Sequence, residues 1–269
     1  MSSPPPWLVT SSRPRMYPVS ILEYVEENRM SNVELPVSLP SGCRTYLDIN
    51  DGDITVRPYT GEDESILAQI NPVNIEKNFL MVLKRVVSGI DPKKLTVGDR
   101  LYLIIWEYVN SYSETVTVRQ MCTHCMGDVE FVVNLQNLPV KPLDPELQIP
   151  TPVILPISGS TVHLRPLTVG DEIAIEKLAL SGTNVHIYRL ARSIVGQDDP
   201  IKQMLEMAKW PVKDLARIRK YHDVDANHGI ITTANLPCPK CEEVEDVVVP
   251  FRFDFFYPEG EALSACFGA

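Results

Sequence analysis

The feature that most constrains this chain is a Cys-x-x-Cys motif that occurs twice, with a domain's length of sequence between the two copies. Cys122 and Cys125 form the first motif, and Cys238 and Cys241 form the second. Two cysteines separated by two residues can hold one edge of a tetrahedral metal site, and a second pair can supply the opposite edge. The spacing therefore predicts a fold that brings two distant segments to one four-cysteine site.

The residues that follow each motif favour a structural zinc site over a redox site. Acidic segments rich in β-branched residues follow both motifs, at residues 127–133 and 242–249, whereas a thioredoxin-like cysteine pair opens a helix. We therefore predict Zn²⁺ bound by all four cysteines. Inert or disulfide-bonded cysteines, and an iron–sulfur or redox role, are the alternatives that the sequence leaves open.

Two further motifs also occur twice, which indicates an internal duplication. The Leu-Pro-Ser-Gly segment at residues 39–42 has a counterpart at 155–159, and Arg-Pro-x-Thr-x-x-Asp-Glu at 57–64 is repeated without a gap at 165–172. We predict an α+β fold built from two tandem copies of a strand-helix-helix-helix-strand-knuckle-strand unit. A pseudo-two-fold axis would relate the copies, and the four-cysteine zinc site would bridge them.

Proline content and the repeat together predict the domain organisation. Residues 1–37, rich in proline and serine, form an extended N-terminal arm. The first repeat unit covers residues 38–140, and a proline-rich connector covers 141–154. The second repeat unit occupies residues 155–269.

Two apolar segments are predicted to bind partner proteins. The arm carries large apolar side chains between prolines that keep it from folding on itself, and the C-terminal segment alternates so that one strand face is aromatic. Core packing is the alternative for the aromatic strand. The predicted partner-binding residues are Trp7, Met16, Tyr17, Ile21, Leu22, Phe251, Phe253 and Phe255.

Composition and motif content argue against an enzyme and against a nucleic-acid or membrane protein. The sequence has no phosphate-binding loop, dinucleotide fingerprint, nucleophile elbow or His-Glu-x-x-His motif. Its net charge of −10 opposes a phosphate-backbone partner, and no window has the ~18 apolar residues needed to span a bilayer. Its opening residues lack a signal-peptide pattern, which favours a reducing compartment.

With these motifs identified, the chain resembles the baseplate hub and hub-assembly proteins of contractile-tailed bacteriophages of the T-even type. The resemblance covers roughly residues 38–175. Its matching residues are Leu39-Pro40-Ser41-Gly42 with Tyr46, Val56-Arg57-Pro58 with Thr60 and Glu64, Leu95 and Gly98-Asp99-Arg100 with Leu103, Ser111-Tyr112, Cys122 with Cys125, and Leu135, Leu138, Pro139 and Val140. The proline-rich arm and the second cysteine pair depart from that family pattern.

The resemblance implies a structural component of the virion tail baseplate that is assembled in the host bacterial cytoplasm. Such a protein binds other phage baseplate and tail proteins and has no small-molecule substrate. Two other functions are open at this stage. One is an assembly chaperone that is absent from the mature virion, and the other is a zinc-ribbon regulator that binds nucleic acid through Arg217, Arg219 and Lys220.

Overall fold

The computed structural model describes residues 33–70, 75–196 and 198–250. From Glu34 onward these residues belong to one compact unit. Most of the predicted arm and the C-terminal aromatic segment lie outside the described residues. The predictions for Trp7, Met16, Tyr17, Ile21, Leu22, Phe251, Phe253 and Phe255 therefore remain predictions.

The first half of the described chain places three helices beside a small antiparallel sheet. The sheet has the strand order β1 (Leu35–Pro36), β2 (Thr55–Val56), β3 (Val87–Ser88). The helices are α1 (Gly61–Leu67), α2 (Ile75–Val86) and α3 (Val97–Ser111), with a 3₁₀ turn at Pro92–Lys94. A two-stranded hairpin follows, formed by β4 (Thr115–Met121) and β5 (Asp128–Asn134).

The second half again places helices before a cysteine-bearing hairpin. A 3₁₀ turn at Leu135–Asn137 leads to β6 (Val140–Lys141), and β7 (Thr151–Ile154) pairs with β8 (Thr161–Leu164) across the predicted boundary after residue 154. The helices are α4 (Val169–Ala179), α5 (His186–Arg192), α6 (Pro200–Met207) and α7 (Val212–Lys220), with a π-helical turn at Tyr221–Asp225. Next come β9 (Gly229–Ile230), which pairs with β6, and the hairpin of β10 (Thr233–Pro237) and β11 (Val244–Val248).

This mixture of helices and strands confirms the predicted α+β class. The tandem arrangement and the pseudo-two-fold axis remain predictions. None of the helices in the described ranges combines the length and apolar character that a membrane crossing requires.

The repeated Arg-Pro-x-Thr-x-x-Asp motif forms the same ion cluster around a buried aspartate in both halves, which we call the arginine clasp. In the first clasp Asp63 is fully buried and accepts hydrogen bonds from Arg57 at 2.7 Å and Arg85 at 2.6 Å. Although burial raises the pKa of Asp63, these hydrogen bonds hold it well below its usual value. The N–H of Thr60 also donates to Asp63, which closes a capping box at the start of α1.

The second clasp repeats these contacts. Asp171 accepts from Arg165 at 2.6 Å, from Arg192 at 2.9 Å and from the N–H of Thr168 at 2.9 Å. Its pKa also lies below the usual value, because the two arginines outweigh the effect of burial. The repeated sequence motif therefore has the same structural role twice, since it starts a helix and anchors it to a later segment.

A second pair of buried aspartates holds the repeated Leu-Pro turns. Asp99, near the start of α3, accepts from the N–H of Ser41 at 2.9 Å and from the hydroxyl of Tyr46 at 2.5 Å. Asp214, near the start of α7, accepts from the N–H groups of Ile157 at 2.7 Å and Ser158 at 3.1 Å. Both turns are thus tied to a helix that follows much later in the sequence.

The described residues pack around three hydrophobic clusters, and α3 contributes to two of them. Leu103 packs in the cluster of the first half, while Ile105 packs with both cysteine-bearing hairpins. The third cluster lies in the second half and surrounds Tyr221 and Ile218. The hairpins therefore share one core although they come from segments far apart in the sequence.

Glu107 on α3 is an exception to the pairing of buried charges. Its side chain is fully buried, and neither carboxylate oxygen has a hydrogen-bond partner among the residues that the structure describes. Burial raises the pKa of Glu107 to about 9, although the positive charge of Arg57 lowers it. Glu107 is therefore protonated in the folded protein at neutral pH.

We predict that Glu107→Gln raises the free energy of unfolding at pH 7–9 and changes it little near pH 4. Between about pH 4.5 and pH 9 the unfolded chain releases a proton that folded Glu107 retains. The stability of the wild-type chain therefore falls with rising pH, by up to roughly 1.4 kcal/mol per pH unit. Glutamine does not titrate, so the variant lacks this loss.

Denaturant unfolding at pH 4, 6 and 8 measures the difference. Glu206→Gln, a change at an exposed position on α6, is the matched control and should follow the wild-type profile. Parallel profiles for wild type and Glu107→Gln would contradict the prediction.

We also predict that Asp63→Asn and Asp171→Asn each lower the free energy of unfolding by on the order of 3 kcal/mol, because each leaves two arginines without their buried carboxylate. Glu62→Gln is the control, since Glu62 pairs with Arg85 but is 82% exposed. It should cost less than about 1 kcal/mol. Thermal unfolding of the three variants at pH 7 tests this, and equal losses at all three positions would refute it.

Candidate metal centre

Each cysteine pair lies in a tight turn at the end of a hairpin, and the two turns share the same hydrogen bonds. In the first knuckle, residues 122–127, the N–H of Cys122 donates to the carbonyl of Gly127 and the N–H of Met126 donates to that of Cys122, both at 3.0 Å. The second knuckle, residues 238–243, has the equivalent bonds. The N–H of Cys238 donates to the carbonyl of Glu243, and the N–H of Glu242 donates to the carbonyl of Cys238, both at 2.8 Å.

Backbone dihedrals extend the match between the knuckles. Met126 has a φ of 57° and Glu242 has a φ of 64°, the left-handed conformation that side chains seldom adopt. In each knuckle this residue directly follows the second cysteine. Such a turn directs both sulfurs of a pair to the same side of the loop.

The structure brings the four cysteine sulfurs together, within 4.8 Å of one another. The Cys122 and Cys241 sulfurs are 3.7 Å apart, and the Cys125 and Cys238 sulfurs are 3.9 Å apart. A tetrahedral site with metal–sulfur bonds of about 2.3 Å has its sulfurs about 3.8 Å apart. These four side chains can therefore bind a metal ion, and the spacing suits zinc and iron alike.

The sulfurs are free thiols, which argues against the disulfide alternative. All four cysteines are unbonded, and their sulfurs are much farther apart than the ~2.05 Å of a disulfide bond. Cys122 and Cys238 are buried, whereas Cys241 is half-buried and Cys125 is exposed. The site thus lies at the edge of the core that the hairpins share.

The two buried thiols differ in acidity. Burial raises the pKa of Cys238, but the N–H groups of Lys240 and Cys241 and neighbouring thiols donate to its sulfur and bring the pKa down to about 7. For Cys122, the N–H of Cys125 lowers the pKa, yet burial and the hydrogen bond to Glu245 outweigh it and raise the pKa to about 12. Cys238 is therefore the more acidic thiol.

Two residues that the sequence analysis did not identify also contact the site. Glu245 on β11 is buried, and Lys240 in the second knuckle donates from Nζ to the carbonyl of Asp128 at 2.8 Å. Residues 244–248 alternate between exposed and buried, so Glu245 lies on the inward face with Val247. An acidic residue on the buried face of a strand was the signal that could have identified it.

Neither His124 nor His228 belongs to the group of close potential ligands. His124 is half-exposed, and its Nε2 lies 3.8 Å from the carboxylate of Glu245. His228 is buried, where its Nε2 is 2.7 Å from the hydroxyl of Thr96. Within the described ranges, the four cysteines are the one group of three or more potential ligands that lies close enough to hold a metal ion.

Comparison with known proteins gives one family. The family model described as T4 bacteriophage base plate protein matches residues 30–257, which is most of the chain. No curated protein and no solved structure matches the chain.

We predict one bound metal ion per folded chain, and loss of that ion in Cys125→Ser, because a hydroxyl is a poor replacement for a thiolate. Cys43→Ser is the control, since Cys43 is a buried free cysteine in the cluster of the first half. Elemental analysis of protein purified without chelator measures the metal content. Well under one ion per wild-type chain, or equal content in Cys125→Ser, would contradict the prediction.

Proposed function

Because the chain belongs to the family of T4 bacteriophage base plate proteins, we propose that it is a structural component of a contractile phage tail baseplate. In this role it is a hub protein or an inner baseplate adaptor that acts by docking to other baseplate and tail proteins. The family match over residues 30–257 is the observation that carries the proposal. The chain would be assembled in the host bacterial cytoplasm and remain in the virion tail.

A structural role is also supported by the character of the candidate metal centre. Catalytic metal sites keep an open coordination position, whereas sites with four cysteine ligands are closed and contribute to folding. The sequence also contains none of the common catalytic motifs. The centre therefore holds the fold together and does not turn over a substrate.

We propose Zn²⁺ as the ion. Zinc prefers tetrahedral thiolate sites and has no redox chemistry, which suits a site with a structural role. When bound, it would make two metal–sulfur bonds to each of the two hairpins. Iron in the same site is the alternative, and elemental analysis separates the two metals.

The N-terminal arm is proposed to dock onto a neighbouring tail protein. Its anchors Trp7, Met16, Tyr17, Ile21 and Leu22 are separated by prolines, which restrict the free chain and reduce the entropy that is lost on binding. The strand face of Phe251, Phe253 and Phe255 is proposed as a second contact. Both proposals rest on the sequence.

A nucleic-acid regulator is less well supported. In the basic patch on α7, Arg217 already pairs with Asp225 at 2.9 Å. The net charge of −10 also opposes approach to a phosphate backbone. An assembly chaperone, in contrast, fits the family as well as a virion component does, and the presence of the chain in finished particles separates these two functions.

We predict that the full-length chain is found in purified particles and that a chain lacking residues 2–30 is not, because the arm supplies docking contacts. The experiment is complementation of a phage lacking the gene, followed by mass spectrometry of the particles. The melting temperature of the truncated chain should stay within a few degrees of wild type.

Three outcomes would contradict parts of this proposal. Absence of the full-length chain from functional particles would favour the chaperone. Normal incorporation of the truncated chain would exclude the arm as the docking segment. Unfolding of the truncated chain would place the arm in the core.

A further inference from the structure

The two knuckles match in every backbone hydrogen bond described above but differ at the residue after the first cysteine. That residue is Thr123 in the first knuckle and Pro239 in the second. Proline has no N–H, so the second knuckle has no donor to satisfy at this position. Thr123 is exposed, but its N–H and its hydroxyl both form hydrogen bonds that are partly buried.

Glu245 accepts both of these donors from the other half of the chain. Its Oε1 lies 2.8 Å from the Thr123 nitrogen and 2.7 Å from the Thr123 hydroxyl oxygen. The same oxygen is 3.2 Å from the sulfur of Cys122. The Thr123 hydroxyl, the Cys122 thiol and the Thr123 N–H hold the pKa of Glu245 below its usual value despite its burial.

The first hairpin has no equivalent carboxylate. Val129 stands as many residues after Cys122 as Glu245 stands after Cys238, and both side chains face the buried side of their hairpin. The two knuckles therefore treat the residue after the first cysteine differently. In the first knuckle, Thr123 keeps its donors and Glu245 accepts them from the opposite hairpin. In the second knuckle, Pro239 has no N–H, and the corresponding residue of the opposite hairpin is the apolar Val129.

We propose that Glu245 is a positioning residue for the metal centre. It sets the first knuckle in its metal-binding conformation from the second hairpin, and it thereby raises the affinity of the four cysteines for the ion. This inference rests on the proposed metal site. Residues that orient metal ligands without touching the metal typically change metal affinity about 10–100-fold when they are replaced.

The charge of Glu245 works against this effect. A carboxylate beside a sulfur disfavours a metal thiolate, because both carry negative charge. His124, at 3.8 Å, is the nearby side chain that can offset that charge when protonated. Replacing Glu245 therefore separates the two effects. Metal affinity falls if positioning by Glu245 dominates, and it rises if repulsion between its carboxylate and the thiolates dominates.

The repeat itself supplies the variants for the test. Glu245→Val copies Val129, Thr123→Pro copies Pro239, and the double variant gives the first knuckle the arrangement of the second. Asp246→Asn is the control, because Asp246 is the next residue of β11, is exposed, and loses the same charge. Zn²⁺ and Co²⁺ affinities of the full chain are measured by competition with a chromogenic chelator.

We expect Glu245→Val to bind both metals about 10–100-fold more weakly than wild type, and Asp246→Asn to bind them equally well. Thr123→Pro alone should also weaken binding, because it leaves the buried carboxylate of Glu245 without its Thr123 donors. The double variant should return to within a few-fold of wild type, since neither unpaired group remains. At saturating Co²⁺ all variants should retain the absorption bands of a tetrahedral thiolate site, because the ligands are unchanged.

Equal or tighter binding by Glu245→Val would overturn the positioning role, and so would additive losses in the double variant. Altered Co²⁺ bands in Glu245→Val would also overturn it, because they would make Glu245 part of the ligand set. A wild-type chain that binds neither metal would overturn the metal site and, with it, the role of Glu245. The failure of the inference alone is thus distinguishable from the failure of the site on which it rests.

Discussion

The convergence of four cysteine sulfurs is the constraint on which the hydrophobic cluster shared by the two cysteine-bearing hairpins depends. The two knuckles belong to hairpins that lie far apart in the sequence, and those hairpins share a hydrophobic cluster with Ile105 of α3. Two-stranded hairpins are marginal on their own. Each hairpin here is stabilised by packing on the other, and a metal ion at the sulfurs would connect them covalently at their tips.

A second junction joins the two halves away from the metal centre. Thr96 and Thr168, the N-cap residues of α3 and α4, lie opposite each other in an antiparallel bridge. The N–H of Val97 donates to the carbonyl of Leu167 at 3.1 Å, and that of Val169 donates to Leu95 at 2.8 Å. The helix starts therefore satisfy part of their free backbone N–H groups with the opposite half. Together with the sulfur cluster, this junction makes the halves depend on each other.

Buried charge is used in two ways in this protein. In both arginine clasps a buried aspartate is paired and capped, so the cost of burying its charge is offset by several donors. Glu107 has no such donors within the described part of the chain and is retained as a neutral acid in the core. In the proposed baseplate role, the clasps and the metal centre would keep the body rigid while the terminal segments contact neighbouring proteins.

The sequence alone predicted the α+β class and the meeting of the four cysteines, because each depends on residues at fixed local spacing or on a motif that occurs twice. It did not predict the contact of Glu245 with Thr123, the anchoring of Ser41 by Asp99, or the burial of Glu107. The two hydrogen bonds join residues that are far apart in the chain, and a hydrogen-bond partner at long range leaves no periodic pattern in the sequence. Only the tertiary structure decided them, because burial and pairing depend on which surfaces the packed helices and hairpins bring together.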